Sequence, residues 1–72
     1  MGLNILYEEV TIIINSESDI LDVEEVIEIL YIGRNYVYKL LNSGELKAFR
    51  VGRKWRIPKK CLEEYIIERS RI

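Results

Sequence analysis

The stretch Val37–Ile57, VYKLLNSGELKAFRVGRKWRI, decides how this 72-residue chain folds. It opens as a helix: at 100° per residue Val37, Leu40 and Leu41 cluster on one side. That periodicity stops at Asn42-Ser43-Gly44, where a glycine fits the left-handed position that follows a helix. Two short runs rich in β-branched and aromatic residues come next, ELKAFRV and KWRI, joined around Gly52-Arg53. Gly52 supplies the positive φ that a tight hairpin needs, so Arg53 and Lys54 are expected at or beside its tip. The stretch therefore predicts the end of a helix followed by a basic-tipped β-ribbon.

Working upstream, the helix begins at about Arg34 and runs to Asn42. Asn35, Lys39 and Asn42 lie opposite its apolar side, with Tyr36 and Tyr38 flanking. An earlier helix is predicted over Val23–Leu30, where Val23, Val26, Ile27 and Leu30 share a face. Asp22 suits its N-cap, Glu25 completes an acidic capping box, and Glu24 favours the first turn. Gly33 can provide the sharp turn between the helices, and also serves as a modest N-cap for the second. Two short helices joined by the turn YIG, the second with a polar and cationic outer face, describe a helix-turn-helix.

Downstream, Pro58 suits the first turn of a third helix, with Leu62, Tyr65 and Ile66 inward and Ile57 stapling its start. Before the first helix, residues 1–20 read as an acidic arm. Leu3–Ile14 carries a strand signal strongest at TIII, and the polar NSESD of Asn15–Asp19 separates it from the rest. Residues 21–70 form the single domain that a chain of this length supports.

The segment RVGRKWRIPKK, Arg50–Lys60, holds six cations although the whole chain carries a net charge of -1. Charge is segregated along the chain. Met1–Gly33 has eight acids and no Lys or Arg, Arg34–Lys60 has nine bases against Glu45 alone, and the tail from Cys61 is nearly balanced. A pI of about 5.4 thus conceals a basic central module, which favours a polyanionic partner. A solvated surface paired with the acidic first third is the plainer account of the same charges.

Several chemistries are excluded or disfavoured. The single Cys61 and the lack of histidine rule out an internal disulfide, a zinc finger and a Cys/His catalytic pair within the chain. Glu24 with Glu25 and Glu63 with Glu64 are sequence neighbours that point in different helical directions, so they read as surface and not as an acid/base pair. No catalytic residue, metal ligand or cofactor is expected, and an enzyme is the least favoured class. VTIII at Val10–Ile14 is far shorter than a membrane span, and no secretory leader is read, so the expected location is cytoplasmic, at the nucleoid. Lys59 and Lys60 would lower the Cys61 thiol, whereas a position near a helix start suits a small packed residue. Trp55 among cations suggests base stacking, but a lone Trp in a small hairpin more often packs on a helix. Tyr36 and Tyr38 are expected to be partly core.

Arg34, Asn35, Tyr38 and Lys39 are the residue types that a recognition helix needs: Arg pairs with guanine, Asn with adenine, and Tyr and Lys commonly contact phosphate. Arg53 and Lys54 at the hairpin tip, with Arg50 and Arg56 near its base, are placed for phosphate or an adjacent minor groove.

In this order, LDVEEVIEILYIGRNYVYKLLNSGELKAFRVGRKWRIPKKCLEEYI, Leu21–Ile66, resembles the excisionase-like DNA-binding domain, a winged helix-turn-helix of the MerR-like group. VYKLLNSGELKAFRVGRKWRI, followed by a helix carrying Leu62, is its most specific part. The resemblance implies a mainly α fold of three short helices with a two-stranded wing. It implies double-stranded DNA as partner, with Arg34, Asn35, Tyr36, Tyr38 and Lys39 as helix contacts and Arg50, Arg53, Lys54 and Arg56 as wing contacts. It further implies an architectural factor that assists an integrase in excising a mobile element by bending DNA. A chain that buries so little DNA is expected to bind singly with modest affinity, so neighbouring copies are expected to associate cooperatively on it. A transcription regulator of the same fold is one alternative, and a protein-interaction module using the acidic arm another. Where the family commonly caps the second helix with Ser or Thr this chain has Gly33, and the arm lies outside the resemblance.

Overall fold

A computed structural model of the chain describes residues 19–70. Its elements follow in the order β1 (Ile20–Leu21), α1 (Val23–Leu30), α2 (Arg34–Ser43), β2 (Phe49–Val51), β3 (Lys54–Pro58) and α3 (Lys59–Ser70). The strand predicted within Leu3–Ile14 lies outside the described residues. Three helices and a small antiparallel sheet make the winged helix-turn-helix expected from the sequence, with one addition. The two-stranded wing of β2 and β3 is extended at its base by β1, in the order β1-β3-β2.

The capping box at the start of α1 is complete. The Glu25 backbone N–H donates to Asp22 Oδ1 at 2.8 Å, and the Asp22 N–H donates to Glu25 Oε1 at 3.2 Å. Two of the four orphan donors of the helix are thereby satisfied, a contribution of about 1 kcal/mol for the N-cap side chain. At its other end the chain turns at Tyr31 and not at Gly33. Tyr31 adopts φ 56°, ψ 42° and its N–H donates to the Ile27 carbonyl at 2.9 Å, while Gly33 sits at φ -70° as the N-cap of α2 with no side-chain hydrogen bond. The sequence reading favoured glycine for the sharp turn because only glycine is free of strain there. The structure instead places an aromatic residue in the left-handed region, its side chain 93% exposed.

α2 ends as expected, at Gly44 with φ 82°. Its last carbonyls find local partners: Ser43 Oγ donates to the Leu40 carbonyl at 3.1 Å, and the Leu46 N–H donates to the same oxygen at 3.2 Å. This return directs the Leu46 side chain into the core, where it is fully buried. The strand expected from Glu45 therefore starts only at Phe49, because Leu46 plugs the space beneath α2 instead of extending the ladder. Gly52 carries φ 63°, and Tyr31 is the sole non-glycine with positive φ among the described residues. Only the first central residue of the Gly52-Arg53 turn is thus left-handed, the signature of a type II′ hairpin.

Pro58 does not open the third helix. It closes β3 opposite Ile20, and the following Lys59 N–H donates to the Asp19 carbonyl at 2.8 Å. In the alternation of an antiparallel ladder, Pro58 then directs its missing donor away from β1, beyond the end of its pairing with β2. The proline is tolerated in a central strand because no partner awaits its N–H.

Leu21, Val23, Val26, Val37, Leu40, Leu41, Leu46, Ile57 and Leu62 form the buried core, with Trp55, Tyr65 and Ile66 among the side chains packed against it. α1 packs on α2, and both α1 and α3 pack on β3. Every element except β2 contributes a buried side chain, so the outer half of the wing projects from the core. Tyr31 tests the account of the turn. Tyr31→Gly is expected to stabilise the fold by about 0.5–1 kcal/mol, since relief of left-handed strain outweighs the added chain entropy and no packing is lost. Gly44→Ala should shift the urea midpoint the opposite way.

Candidate nucleic-acid interface

β1 pairs with β3 at Ile57 and Pro58, which leaves Lys54, Trp55 and Arg56 without a strand neighbour on that side among the described residues. The starts of α1 and α2 face this gap. A cleft of about 220 Å³ results, lined by Asp22 and Glu24 from the start of α1, Arg34 and Tyr38 from α2, and Arg53–Arg56 from the hairpin. Four cations from two separate elements thus meet around one opening. A larger groove of about 470 Å³ near α3 has Glu45, Glu64 and Glu68 around Lys47 and Arg69, a balance unsuited to phosphate.

The structure divides the five candidate residues of α2 into three positions. Arg34 and Tyr38, one turn apart, face the cleft. Asn35 and Lys39 lie on the exposed crest, opposite the buried Val37, Leu40 and Leu41. Tyr36 lies on the other flank, where it acts electrostatically on Tyr65 and Arg69, and it does not join the cleft. Both Tyr36 and Tyr38 are exposed, contrary to the expectation that they are partly core. Tyrosine periodicity is ambiguous here because both residues flank the apolar stripe at its margins.

The four hairpin cations are similarly divided. Arg53, Lys54 and Arg56 line the cleft. Arg50, opposite Trp55 in the ladder, places its guanidinium 4.8 Å from the centroid of the indole ring. This cation–π contact holds Arg50 over the inner, Trp-bearing face of the wing. Trp55 itself is half-buried against the core, so the packing role expected for it holds while one edge reaches the cleft.

One contributor escaped the sequence reading. Glu24, taken there for plain surface, forms an ion pair with Arg34 across the turn of the two helices. The Glu24 hydrogen bond and charge hold the Arg34 guanidinium above its ordinary range, and Tyr38 adds to the effect. A carboxylate ten residues upstream has no helical spacing that would announce the contact. Its position became visible only once α1 and α2 were packed.

Cys61 behaves oppositely to one of the two readings open to it. Burial, then the Glu64 charge, push its thiol up, and Lys47 opposes them; Lys59 and Lys60 are not among the causes. Among the described residues no cluster of three or more metal-ligating side chains occurs, and no helix is long and apolar enough to cross a membrane.

This geometry agrees with comparisons to known proteins. The description "Helix-turn-helix domain" matches residues 20–70. The chain belongs to the helix-turn-helix domain family. It is 41% identical over 46 residues to a protein of Saccharopolyspora erythraea named a probable excisionase, an alignment covering 64% of this chain and 47% of that one. It is 33% identical over 51 residues to a Mycobacterium tuberculosis protein provisionally named as DNA-binding, covering 71% of this chain and 65% of that one. The chain therefore spans roughly half to two-thirds of the length of these relatives. No solved structure matches it. Together these findings bear out the resemblance to the excisionase-like helix-turn-helix domain.

The thiol offers a check on the environment of α3. Because its titration is shifted upward, Cys61 holds less thiolate than a free cysteine at any pH near 8. Iodoacetamide is expected to alkylate it several-fold more slowly than free cysteine at that pH, with the gap closing in denaturant. Faster reaction in the folded chain would contradict the burial described.

Proposed function

We propose that this helix-turn-helix chain binds double-stranded DNA, with α2 in the major groove and the wing against the adjoining backbone. The observation that supports this most is the convergence of Arg34 and Tyr38 from α2 with Arg53, Lys54 and Arg56 from the hairpin on one cleft. In this reading Asn35 and Lys39, on the exposed crest of α2, meet base edges and phosphate, and Tyr36 contacts the backbone from the flank. Arg53 and Lys54 follow the backbone or minor groove beyond, and Arg56 neutralises phosphate at the wall of the cleft. Arg50, stacked on Trp55, stiffens the wing and reaches phosphate from its other face.

The likeness to a protein named a probable excisionase supports a more specific role. The chain acts as an architectural factor that occupies sites beside an integrase or recombinase and favours excision of a mobile element. A single module of this size buries about 600–1,000 Å² on DNA, which limits the affinity of one copy. Cooperative occupancy of adjacent sites, with the cost of bending shared between copies, then accounts for specific action. A transcription regulator would make the same DNA contact, and the second relative, whose name goes no further than DNA binding, is compatible with it.

Selection of bound duplexes from a random library at roughly physiological salt tests the reading, because non-specific phosphate attraction is weakened there. A defined motif is expected, repeated at helical spacing in longer fragments. Folded protein that enriches no motif would refute sequence-specific binding. The wing is tested separately: Arg53→Ala combined with Lys54→Ala should weaken binding to all duplexes and reduce the salt slope by about 2, with the urea midpoint nearly unchanged. Unchanged binding would remove the wing from the interface.

A further inference from the structure

Directly paired residues of an antiparallel ladder place their side chains on the same face of the sheet. The pairs here are Ile20 with Pro58, Phe49 with Arg56 and Val51 with Lys54. Since positions 54, 56 and 58 alternate with the inward-facing Trp55 and Ile57, all six residues share the outer face. Leu21 and Ile57 on the inner face are fully buried, whereas Ile20, Phe49 and Val51 outside are 41%, 47% and 59% exposed. Three strands therefore present a stripe of large apolar side chains bordered by Lys54 and Arg56. So much apolar surface on a small sheet calls for an occupant.

Three occupants can be weighed by chemistry. DNA would engage Lys54 and Arg56 but finds nothing to bind in Phe49 and Val51. A second copy seated face to face would bring Lys54 and Arg56 against their own kind. Residues 3–14 of the chain itself match both features: eight of these twelve residues are apolar, and their charges are Glu8 and Glu9 with no cation. Reach is adequate as well. The described fold begins at Asp19, beside Ile20 and hence at the border of the stripe, and the opposite border at Val51 lies two strand spacings across the sheet and four residues along it, roughly 16 Å away. Residues 15–18 can span about 13 Å when extended, and Ile12–Ile14 can cover about 10 Å more.

We propose that the outer face of the three-stranded sheet is the docking surface for residues 3–14 of the same chain. Their apolar side chains cover Phe49 and Val51, and Glu8 and Glu9 are drawn to Lys54 and Arg56. The seat overlaps the wing cations assigned to DNA, so the segment competes with phosphate for them. Only this consequence rests on the proposed function; the docking itself does not.

The experiment uses the full chain, isotope-labelled, in solution without DNA. Nuclear Overhauser contacts are expected between the methyl groups of Ile12–Ile14 and the Phe49 ring or Val51 methyls, and they should persist as intramolecular contacts in a mixture of labelled and unlabelled protein. Val51→Glu sets a carboxylate in the apolar seat while leaving the core untouched. It should abolish those contacts and shift the amide signals of residues 3–14, with the Leu40 and Ile57 methyl signals in place. Absence of the contacts in a folded wild-type chain overturns the proposal. So does their appearance only between molecules, which would make a second copy the occupant. Neither result depends on whether the protein binds DNA.

Discussion

Ile57 is the side chain on which the arrangement of helices and wing depends. It is fully buried, it pairs with Leu21 of β1, and its strand packs against both α1 and α3. A side chain of this size buried completely contributes roughly 1.5–3 kcal/mol by removal of its surface from water. More important is its location. Three residues before it lies Lys54, at the tip of the hairpin, so the position of Ile57 in the core sets where the tip can stand relative to α2. A rigid strand anchored at one end and cationic at the other is what turns two stretches of sequence into one surface.

That anchoring also explains how an acidic chain can present a basic face. The helix carrying Asp22, Glu24 and Glu25 places its acids at an N-terminus, where backbone N–H groups and the helix dipole favour negative charge. Asp22 and Glu25 are further occupied by the capping box. Arg34, Arg53, Lys54 and Arg56 instead surround the cleft, outside the core. Overall charge is consequently a poor guide to the surface. The distribution of charge along the chain is a better one, because the elements between Arg34 and Lys60 fold as neighbours.

Most of the fold was legible because its signals are local. The apolar spacing of Val23–Leu30, the Asp22-Glu25 cap, the stop at Gly44 and the turn at Gly52 each involve residues within a few positions of one another. What escaped depends on contacts distant in sequence. Pro58 resembles a helix start until Asp19 and Ile20 are paired with the end of β3. Leu46 reads as part of a strand until its N–H is paired with the Leu40 carbonyl at the end of α2. The left-handed Tyr31 defeats a glycine-based reading because strain at one residue is outweighed by the packing of two helices. In the site, the types of residue were legible from the helical face and the hairpin, but their grouping was not. Only assembled elements separate Tyr36 from Tyr38 and set Arg50 on Trp55.

The pairing of Glu24 with Arg34 bears on how such a surface would choose among sequences. Both side chains are more than half exposed, so water and salt screen the pair and it adds little to the stability of the fold. A weak internal partner is easily exchanged. Phosphate offers Arg34 a full charge, but an approaching phosphate also meets the carboxylate of Glu24 on the same wall of the cleft and is repelled by it. A guanine edge offers two acceptors without a formal charge, and it meets no such penalty. On the proposed mode of binding, Glu24 would therefore raise the cost of indiscriminate backbone contact at Arg34 more than that of base contact. It would then be a repulsive element that lowers affinity for any duplex and widens the difference between duplexes. A cationic cleft without this carboxylate would bind DNA more tightly and distinguish sequences less well.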